Sequence, residues 1–178
     1  MTGPEPRIRV GQGFDIHRFS PLPGRPLGLG GVTIPGVVGL AGHSDADVVA
    51  HALADALLGA VGLGDLGRHF PDTGPEWAGA DSLDLLGRVT TLVEGEAMTV
   101  MNADCTVVCE RPRLAEHIPE MTRRLGAVVK APVSVKATGA EGLGTLGRVE
   151  GIACLAVVLV AATTPPTVDA DVDRDEER

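Results

Sequence analysis

The sequence predicts a two-layer α/β domain, also compatible with the α+β class, in which one sheet carries helices packed on one face. Segments rich in β-branched residues alternate along the chain with segments whose apolar residues recur every three or four positions. Amphipathic helices of this kind need a sheet or another helix to cover their apolar stripe. The last segment, Ile152–Ala162, is a continuous apolar run and therefore predicts a buried strand of that sheet.

The first elements of the prediction are a strand and a hairpin. Residues 7–13 form a short strand that ends in glycines. The pattern of Gly11 and Gly13 is also found at the start of dinucleotide-binding loops, but no third glycine follows and no helix opens there, which argues against such a loop. After a stretch rich in Gly and Pro, residues 27–29 and 32–34 predict a small hairpin.

The central helix of the prediction begins near Ser44 and ends in the glycine-bearing turn at residues 62–64. Ser44 followed by Asp47 is a helix-start pattern, in which a hydroxyl caps the helix and an acid occupies its first turn. Asp47, His51 and Asp55 recur every four residues and should therefore share one face. The apolar stripe of this helix consists of Val49, Leu53, Ala56, Leu57 and Ala60.

The remaining elements complete the alternation. They are, in order, a loop over residues 64–77, a packing helix over 81–95, a strand over 99–110, a helix over 114–125 that ends before Pro132, and strands over 133–138 and 152–162.

Composition indicates one globular domain with a separate acidic end. The 178 residues are 44% apolar and 22% charged, enough to bury a core in a single domain over residues 1–162. The net charge is −9, of which −4 falls in residues 163–178, a segment that predicts a disordered tail. With no basic stripe and no apolar run of about 20 residues, we expect neither nucleic-acid binding nor a membrane span. The chain opens without a signal-peptide pattern and has three unpaired cysteines, so we expect a cytoplasmic protein with reduced thiols.

Three side chains predict a metal site. Asp15 and His17 alternate on a strand end and so point to the same side, which makes them a compact pair of ligands. His51 lies between two carboxylates on a helix, an arrangement that is costly to bury unless a partner such as a metal is present. Together they offer two imidazoles and a carboxylate with a fourth position free, the donor set of a catalytic zinc site. A structural zinc, or a hydrogen-bonded core histidine at position 51, is the alternative.

Several loop residues are candidates for binding an anionic substrate. His43 precedes a helix start, where backbone N–H groups attract phosphate, although it could equally be an ordinary loop histidine. Asp72 precedes Thr-Gly and could be a binding residue or a turn former. Arg113 and Arg148 lie in loops, where each could bind a phosphate or face solvent.

Five segments in consistent order resemble the 2-C-methyl-D-erythritol 2,4-cyclodiphosphate synthase family over about residues 8–162. They are GxGxDxHxF at 11–19, HSDADVVAHALADALLGA at 43–60, GDLGRHFPDT at 64–73, ERPRLAEHIPEM at 110–121 and GRVEGIA at 147–153. The resemblance implies an enzyme of the non-mevalonate isoprenoid pathway that converts 4-diphosphocytidyl-2-C-methyl-D-erythritol 2-phosphate into the cyclic diphosphate and CMP. It also implies a homotrimer whose sheets face the threefold axis and whose active sites lie at subunit interfaces.

The resemblance assigns the metal ligands. It implies that Asp15, His17 and His51 bind zinc, and that Glu141 binds a second divalent cation, Mg²⁺ or Mn²⁺. In the implied reaction the 2-phosphate attacks the β-phosphorus and CMP leaves, which depends on in-line positioning and on neutralised phosphate charge.

The resemblance also assigns residues around the reacting groups. His43 and Ser44 would contact the substrate phosphate, and Asp47 and Asp55 would orient the site. The residues implied to hold the methylerythritol part are Asp65, Leu66, Gly67, Phe70, Pro71, Asp72, Thr73 and Gly74. Those implied to hold the cytidyl and phosphate groups are Cys109, Arg113, Leu114, Ala137, Thr138 and Gly139, with Arg148 near an anion on the trimer axis.

The sequence departs from the family pattern at a few positions. Gly139 and Ala140 stand where hydroxyl side chains are usual, Thr145 replaces a large apolar residue, and Val149 replaces a glycine. The alternatives are a non-catalytic trimeric binder of isoprenoid diphosphates or nucleotides, and a zinc-dependent phosphohydrolase. The products of turnover distinguish the three.

Overall fold

The computed structural model describes residues 7–162; the predicted acidic tail, residues 163–178, lies outside the described residues. The strands are β1 (Ile8–Arg18), β2 (Pro26–Leu29), β3 (Val32–Val38), β4 (Met98–Val108), β5 (Val133–Thr138) and β6 (Gly151–Ala162). The helices are α1 (Val48–Val61), α2 (Leu66–His69), α3 (Ser82–Gly95), α4 (Ile118–Val129) and α5 (Gly144–Gly147), with a 3₁₀ turn at Pro75–Trp77.

The molecule is a mixed α+β fold built on a four-stranded sheet. The strand order is β1-β6-β4-β5, in which β6 runs antiparallel to both of its neighbours and β5 runs parallel to β4. Helix α1 packs on β1 and β6, α4 packs on β5, and α3 lies against both helices. This confirms the predicted layer of helices on a sheet. The predicted hairpin is also confirmed, since β2 and β3 pair with each other as a separate two-stranded sheet.

The two glycines of β1 allow α1 to approach the sheet closely. A Cβ atom on Gly13 would lie 1.9 Å from the carbonyl oxygen of Ala52, and one on Gly11 would lie 1.9 Å from that of Ala56. The side chains that α1 presents here are alanines, so backbone meets backbone across the interface. These glycines therefore serve helix packing, in agreement with the exclusion of a dinucleotide loop.

The start of α1 differs from the prediction. The N-cap is Asp47, with an extended backbone, and its carboxylate accepts hydrogen bonds from the N–H groups of Val49 and Ala50. Ser44 is therefore not the cap. Asp47, which lies three residues later and directly before the first helical residue, takes that position. The helix ends as predicted, at Gly62, whose φ of 77° is left-handed.

Helix α4 also begins later than predicted, at Ile118 rather than near residue 114. Pro119 lies in the first turn of the observed helix, where its missing N–H is not needed. A helix that began at residue 114 would place this proline in its interior, where it removes a hydrogen bond and clashes with the preceding turn.

The part of the opposite sheet face that β1 and β6 form carries exposed apolar side chains in a single chain. Val10 is 66% exposed, Phe14 52% and Val157 47%, and all three belong to β1 and β6. The alternate residues of β6, such as Ala156 and Val158, are buried under α1. The prediction that β6 is buried is therefore correct for one of its faces only. Over the residues that the structure describes, no helix is long and apolar enough to cross a membrane.

Candidate active site

A cluster of three potential metal ligands lies where β1 meets α1. The Oδ2 atom of Asp15 is 3.1 Å from Nε2 of His17 and 3.0 Å from Nδ1 of His51. One ligand atom from each residue lies within 4.8 Å of the other two. Asp15 and His17 share a side of β1 because strand side chains alternate, and α1 brings His51 over the same point.

Hydrogen bonds outside the cluster orient His17. Its Nδ1 lies 2.8 Å from the carbonyl oxygen of Ala41. A carbonyl only accepts, so Nδ1 carries the hydrogen and Nε2 faces Asp15. Burial raises the pKa of Asp15, but hydrogen bonds from His17 and His51 outweigh it and hold that pKa far below its usual range. The hydrogen bond with Asp15 in turn raises the pKa of His17, against the opposing effect of burial.

The donor set fits a zinc ion. Two imidazole nitrogens and one carboxylate oxygen are the ligands that catalytic zinc sites use, with a fourth position left for water or substrate. Both imidazoles direct a nitrogen at the same oxygen of Asp15, an arrangement that a cation between them stabilises. The structure thus brings together the three residues that the sequence predicts as zinc ligands.

Asp47 does not join this cluster, although the spacing predicts that it shares a face with His51. Its carboxylate accepts hydrogen bonds from the backbone N–H groups of Gly30 (2.8 Å) and Gly31 (2.7 Å), in addition to its two capping bonds. As the N-cap, Asp47 precedes the helix and its side chain folds back over the first turn. It anchors the β2–β3 turn to α1, so the prediction that its side chain shares a face with His51 is corrected.

Asp55 and Asp65 hold the segment that follows α1. The carboxylate of Asp55 accepts a hydrogen bond of 2.7 Å from the N–H of Leu66, and burial raises its pKa. Asp65 caps α2 by accepting from the N–H of Arg68 at 2.9 Å. The side chains of both acids therefore fix the position of α2 next to the cluster.

A cavity of about 500 Å³ opens beside the cluster. It contains most of the residues predicted to bind the methylerythritol part, together with residues of the cluster and of the loop before α1. The lining residues are His17, Ala41, Gly42, His43, Ser44, His51, Leu66, Gly67, Phe70, Pro71, Asp72, Trp77 and Leu85. Of the predicted residues, Asp65, Thr73 and Gly74 do not line it. Gly74 instead contributes its carbonyl oxygen, 3.1 Å from Nε2 of His43.

Two aromatic side chains, Phe70 and Trp77, form part of the wall of this first cavity. The rings of Phe70 and Trp77 pack edge to face with their centroids 5.0 Å apart. The guanidinium of Arg88 lies 5.5 Å from the centroid of the Trp77 ring, within range of a cation–π interaction.

A second cavity, of about 400 Å³, lies at the other edge of the sheet. Its lining includes every residue predicted to hold the cytidyl and phosphate groups except Arg148, and it includes the predicted cation ligand Glu141. These residues are Cys109, Arg113, Leu114, Ala137, Thr138, Gly139 and Glu141. Burial raises the pKa of the Cys109 thiol to about 11, so the thiol is neutral at physiological pH. Glu110 holds the loop before Glu141 by accepting a hydrogen bond of 2.9 Å from the N–H of Ala140.

The two cavities have no lining residue in common. The first contains His17 of β1 and the second contains Thr138 of β5, which are the two edge strands of the sheet. Three strand spacings of about 4.8 Å separate these edges by roughly 14 Å. One chain therefore has two separate cavities, at opposite edges of the sheet.

The chain matches the YgbB family model over residues 8–161. The chain belongs to the YgbB family. This member is 57% identical over 155 residues to the 2-C-methyl-D-erythritol 2,4-cyclodiphosphate synthase of Symbiobacterium thermophilum, covering 85% of this chain and 98% of that protein. It is 52% identical over 156 residues to the synthase of Geobacillus thermodenitrificans, covering 86% of this chain and 96% of that protein.

Solved structures of YgbB relatives share the fold. A 2C-methyl-D-erythritol-2,4-cyclodiphosphate synthase bound to CDP superposes with a TM-score of 0.77 at 38% identity, covering 85% of this chain and 99% of that chain. The bifunctional IspDF of Campylobacter jejuni superposes with a TM-score of 0.84 at 39% identity, covering 90% of this chain and 44% of that chain.

Two contact residues of this YgbB member escape prediction from the sequence. Ser82 lies 2.8 Å from Nε2 of His51, although 31 residues separate them and the sequence carries no signal that joins them. Trp77 lines the first cavity from a loop that the sequence describes only as turns.

Arg148, predicted near an anion, lies outside both cavities and forms an ion pair with Glu150 at 2.7 Å.

Proposed function

We propose that this YgbB member is a 2-C-methyl-D-erythritol 2,4-cyclodiphosphate synthase. It would cyclise 4-diphosphocytidyl-2-C-methyl-D-erythritol 2-phosphate and release CMP, as a phosphorus–oxygen lyase of the non-mevalonate isoprenoid pathway. The observation that carries this proposal is 57% identity over 98% of a curated synthase. The converging ligands Asp15, His17 and His51 give the chain a site for the chemistry.

The cluster and the first cavity beside it would together form one half of the active site, the first half-site. This half-site would hold zinc on Asp15, His17 and His51. A bound zinc would act as a Lewis acid that polarises the β-phosphate of the substrate. The fixed carboxylate between two oriented imidazoles keeps the three ligand atoms together before substrate arrives, so little reorganisation is needed during the reaction.

The cyclisation itself needs positioning more than a protein acid or base. The substrate's 2-phosphate must lie in line with the β-phosphorus and the departing CMP. The first cavity would hold the methylerythritol part, with Asp72 at its wall and the hydroxyl of Ser44 beside His51. The ring of His43, whose Nε2 lies 3.1 Å from the carbonyl oxygen of Gly74, would contact the substrate phosphate from the same wall.

The second cavity would form the other half of the active site, the second half-site. It would hold the nucleotide and a second cation. Mg²⁺ and Mn²⁺ are commonly held by one or two carboxylates together with substrate phosphates, and Glu141, which lines the second cavity, would supply such a carboxylate. Backbone groups around Cys109 and Leu114 would contact the cytidyl group. A related synthase whose structure contains CDP has this fold, which supports the proposal that this chain binds a cytidine nucleotide.

A homotrimer would join the two half-sites. We propose that the sheets face a threefold axis, so that the first cavity of one subunit meets the second cavity of its neighbour. The apolar sheet face of Val10, Phe14 and Val157 supports this assembly, because exposed apolar patches of this kind mark association surfaces. Arg148 would lie near the axis, where an anion could replace Glu150 as its partner.

We further propose that residues 1–162 form one catalytic domain and that the enzyme works in the cytoplasm. The cysteines Cys105, Cys109 and Cys154 are buried and free, as suits a reducing compartment.

The test is turnover of the cytidyl substrate with and without a chelator, with all products identified. The synthase predicts cyclic diphosphate and CMP in equal amounts, and no turnover after the chelator removes the metal. Release of inorganic phosphate would instead identify a phosphohydrolase. Binding without any product would identify a non-catalytic binder and would contradict the proposal.

A further inference from the structure

We propose that Ser82 and Asp45 act together as positioning residues that fix the tautomer of His51, so that its Nδ1 is the nitrogen that binds the metal. This inference deepens the proposed function and rests on it for the presence of zinc in the cluster. Neither Ser82 nor Asp45 is among the site residues that the sequence predicts.

Two hydrogen bonds link His51 of the cluster to Ser82 of α3, and Ser82 to Asp45. The hydroxyl of Ser82 lies 2.8 Å from Nε2 of His51 and also makes a short hydrogen bond to Oδ1 of Asp45. Ser82 is the first residue of α3 and only 1% exposed, so water cannot replace either partner without rearrangement. The other carboxylate oxygen of Asp45 accepts the backbone N–H of Ser82 at 3.0 Å, which fixes the pair from both sides.

The hydrogen bonds that link His51, Ser82 and Asp45 can point in one direction only. An ionised carboxylate accepts hydrogen bonds and cannot donate, so the single hydrogen of the Ser82 hydroxyl points to Asp45. The Ser82 oxygen can then serve His51 only as an acceptor. Nε2 of His51 must therefore carry a hydrogen and donate it to Ser82.

This direction determines which nitrogen faces the metal. When neutral His51 holds its hydrogen on Nε2, its lone pair is on Nδ1, which lies 3.0 Å from Oδ2 of Asp15. A lone pair facing a carboxylate oxygen is unfavourable unless a cation or a proton lies between them. Asp45 and Ser82 thus prepare Nδ1 for a metal ion, much as the Ala41 carbonyl prepares Nε2 of His17.

Ser44 is the competing partner for the same nitrogen. Its hydroxyl lies 3.2 Å from Nε2 of His51, farther than that of Ser82. The Ser44 oxygen also accepts the N–H of Ala46 at 3.2 Å, and among the described residues no carboxylate bonds to its hydroxyl and orients its hydrogen. The geometry therefore favours Ser82 as the residue that sets the tautomer.

The experiment has two readouts, neither of which is turnover. The first is the ¹⁵N NMR signature of the His51 ring in the zinc-loaded wild-type protein, where we expect the hydrogen on Nε2. The second is zinc affinity, measured by competition with a chelator. We expect Ser82→Ala to weaken zinc binding roughly 10- to 100-fold, as is typical when a partner of a ligating histidine is lost. Ser82→Thr keeps the hydroxyl and should restore much of the affinity.

Thr90→Val is the matched control. Thr90 carries a buried hydroxyl in the same helix, 3% exposed, and within residues 7–162 this hydroxyl donates to the carbonyl oxygen of Leu86. This variant removes a buried hydroxyl from α3 without touching the cluster, so zinc affinity should equal that of the wild type. A general loosening of α3 would weaken zinc binding in both variants and would contradict a specific role for Ser82.

The proposal would also be overturned by a His51 hydrogen found on Nδ1 in the zinc-loaded protein, or by wild-type zinc affinity in Ser82→Ala. A loss of affinity in Ser44→Ala together with the second result would identify Ser44 as the residue that sets the tautomer. If Ser82→Ala does not fold, the wild-type NMR measurement alone decides. A protein that binds zinc with the expected tautomer but forms no cyclic product would contradict the proposed function and leave this inference standing.

Discussion

One oxygen atom, Oδ2 of Asp15, lies within hydrogen-bond distance of both histidines of the candidate zinc site. It lies 3.1 Å from His17 and 3.0 Å from His51, and these hydrogen bonds hold the pKa of Asp15 low despite burial. The removal of either imidazole would leave this carboxylate with fewer partners and the metal with fewer ligands. Substitutions in the cluster should therefore change metal content before they change the fold.

We expect His51→Ala to lose zinc and turnover together, because two remaining ligands hold zinc poorly. Metal analysis of the purified variant measures the first effect, and product formation measures the second. The control is His69→Ala, which removes an imidazole whose Nε2 lies 3.0 Å from the carbonyl oxygen of Leu63, outside the cluster. A His51→Ala protein that keeps one zinc per chain would remove this residue from the ligand set.

We expect Glu141→Gln to raise the Mg²⁺ concentration needed for half-maximal activity while the zinc content stays unchanged. An amide keeps the size of the side chain but lacks the charge that attracts a divalent cation. The measurement is the rate as a function of added Mg²⁺. Glu150→Gln, at a carboxylate that pairs with Arg148 and lies outside both cavities, is the control. An unchanged metal dependence in Glu141→Gln would argue against this role.

At this scale the sequence predicted the ligand set but not the surroundings. Strand alternation places Asp15 and His17 together, and His51 follows from its position on a helix between two acids. The shared face of Asp47 and His51 was predicted wrongly, because a cap residue turns its side chain toward the helix start and the spacing rule applies only within the helix. Ser82 could not be predicted, since its contact depends on how α3 packs on α1.

At the scale of elements, the site depends on how closely α1 lies on β1. The two elements carry all three ligands of the cluster, and the glycines of β1 set their separation. Any side chain at these glycines would meet backbone atoms of α1, which cannot move without moving the whole helix.

We expect Gly13→Ala to destabilise the protein by about 1–3 kcal/mol or more, because an added Cβ would lie 1.9 Å from the Ala52 carbonyl oxygen. The same shift of α1 should also weaken zinc binding. Thermal or denaturant unfolding measures the stability. Gly28→Ala is the matched control, since a Cβ at this strand glycine of β2 has no atom within 4 Å. Equal stability in the two variants would show that the close approach is not required.

The elements themselves were largely predictable, and the errors lie at their ends. The hairpin of β2 and β3 and the packing helix α3 follow from turn residues and apolar periodicity. The starts of α1 and α4 were misplaced because a helix start depends on single residues, here the cap Asp47 of α1 and Pro119 in the first turn of α4. Periodicity shows that a helix exists, but it says little about which polar residue opens it.

At the scale of the whole molecule, two features of a single chain are incomplete by themselves. The apolar sheet face is open, and the two cavities lie at opposite edges of the sheet. One arrangement of three subunits about an axis would cover the first feature and complete the second. The trimer stays a prediction that can be tested directly.

We expect Val157→Lys to dissociate the trimer, because a charge would replace an apolar side chain at the centre of the proposed interface. Sedimentation equilibrium measures the mass. Each dissociated subunit should still retain zinc, while turnover should be lost. The control is Leu22→Lys, which places the same charge at an apolar residue that is 70% exposed in the loop after β1. A Val157→Lys protein that stays trimeric would place the interface elsewhere.

The strand order could not be predicted from the residues alone. β1 pairs with β6 at the other end of the described chain, with Ile8 opposite Ala161, and no local signal joins segments so far apart. The sheet also combines antiparallel and parallel pairs, which apolar patterns do not distinguish. The sequence restricted the architecture to helices on a sheet, and tertiary packing determined the rest.

The position of Trp77 gives the molecule an internal optical reporter. Trp77 is the single tryptophan of a chain that has no tyrosine, and its ring lies in the wall of the first cavity against Phe70. Its intrinsic fluorescence therefore arises from one site, beside the position where the methylerythritol group would bind. Occupancy of that cavity should change the emission, so that ligand titrations need neither a label nor a substituted residue.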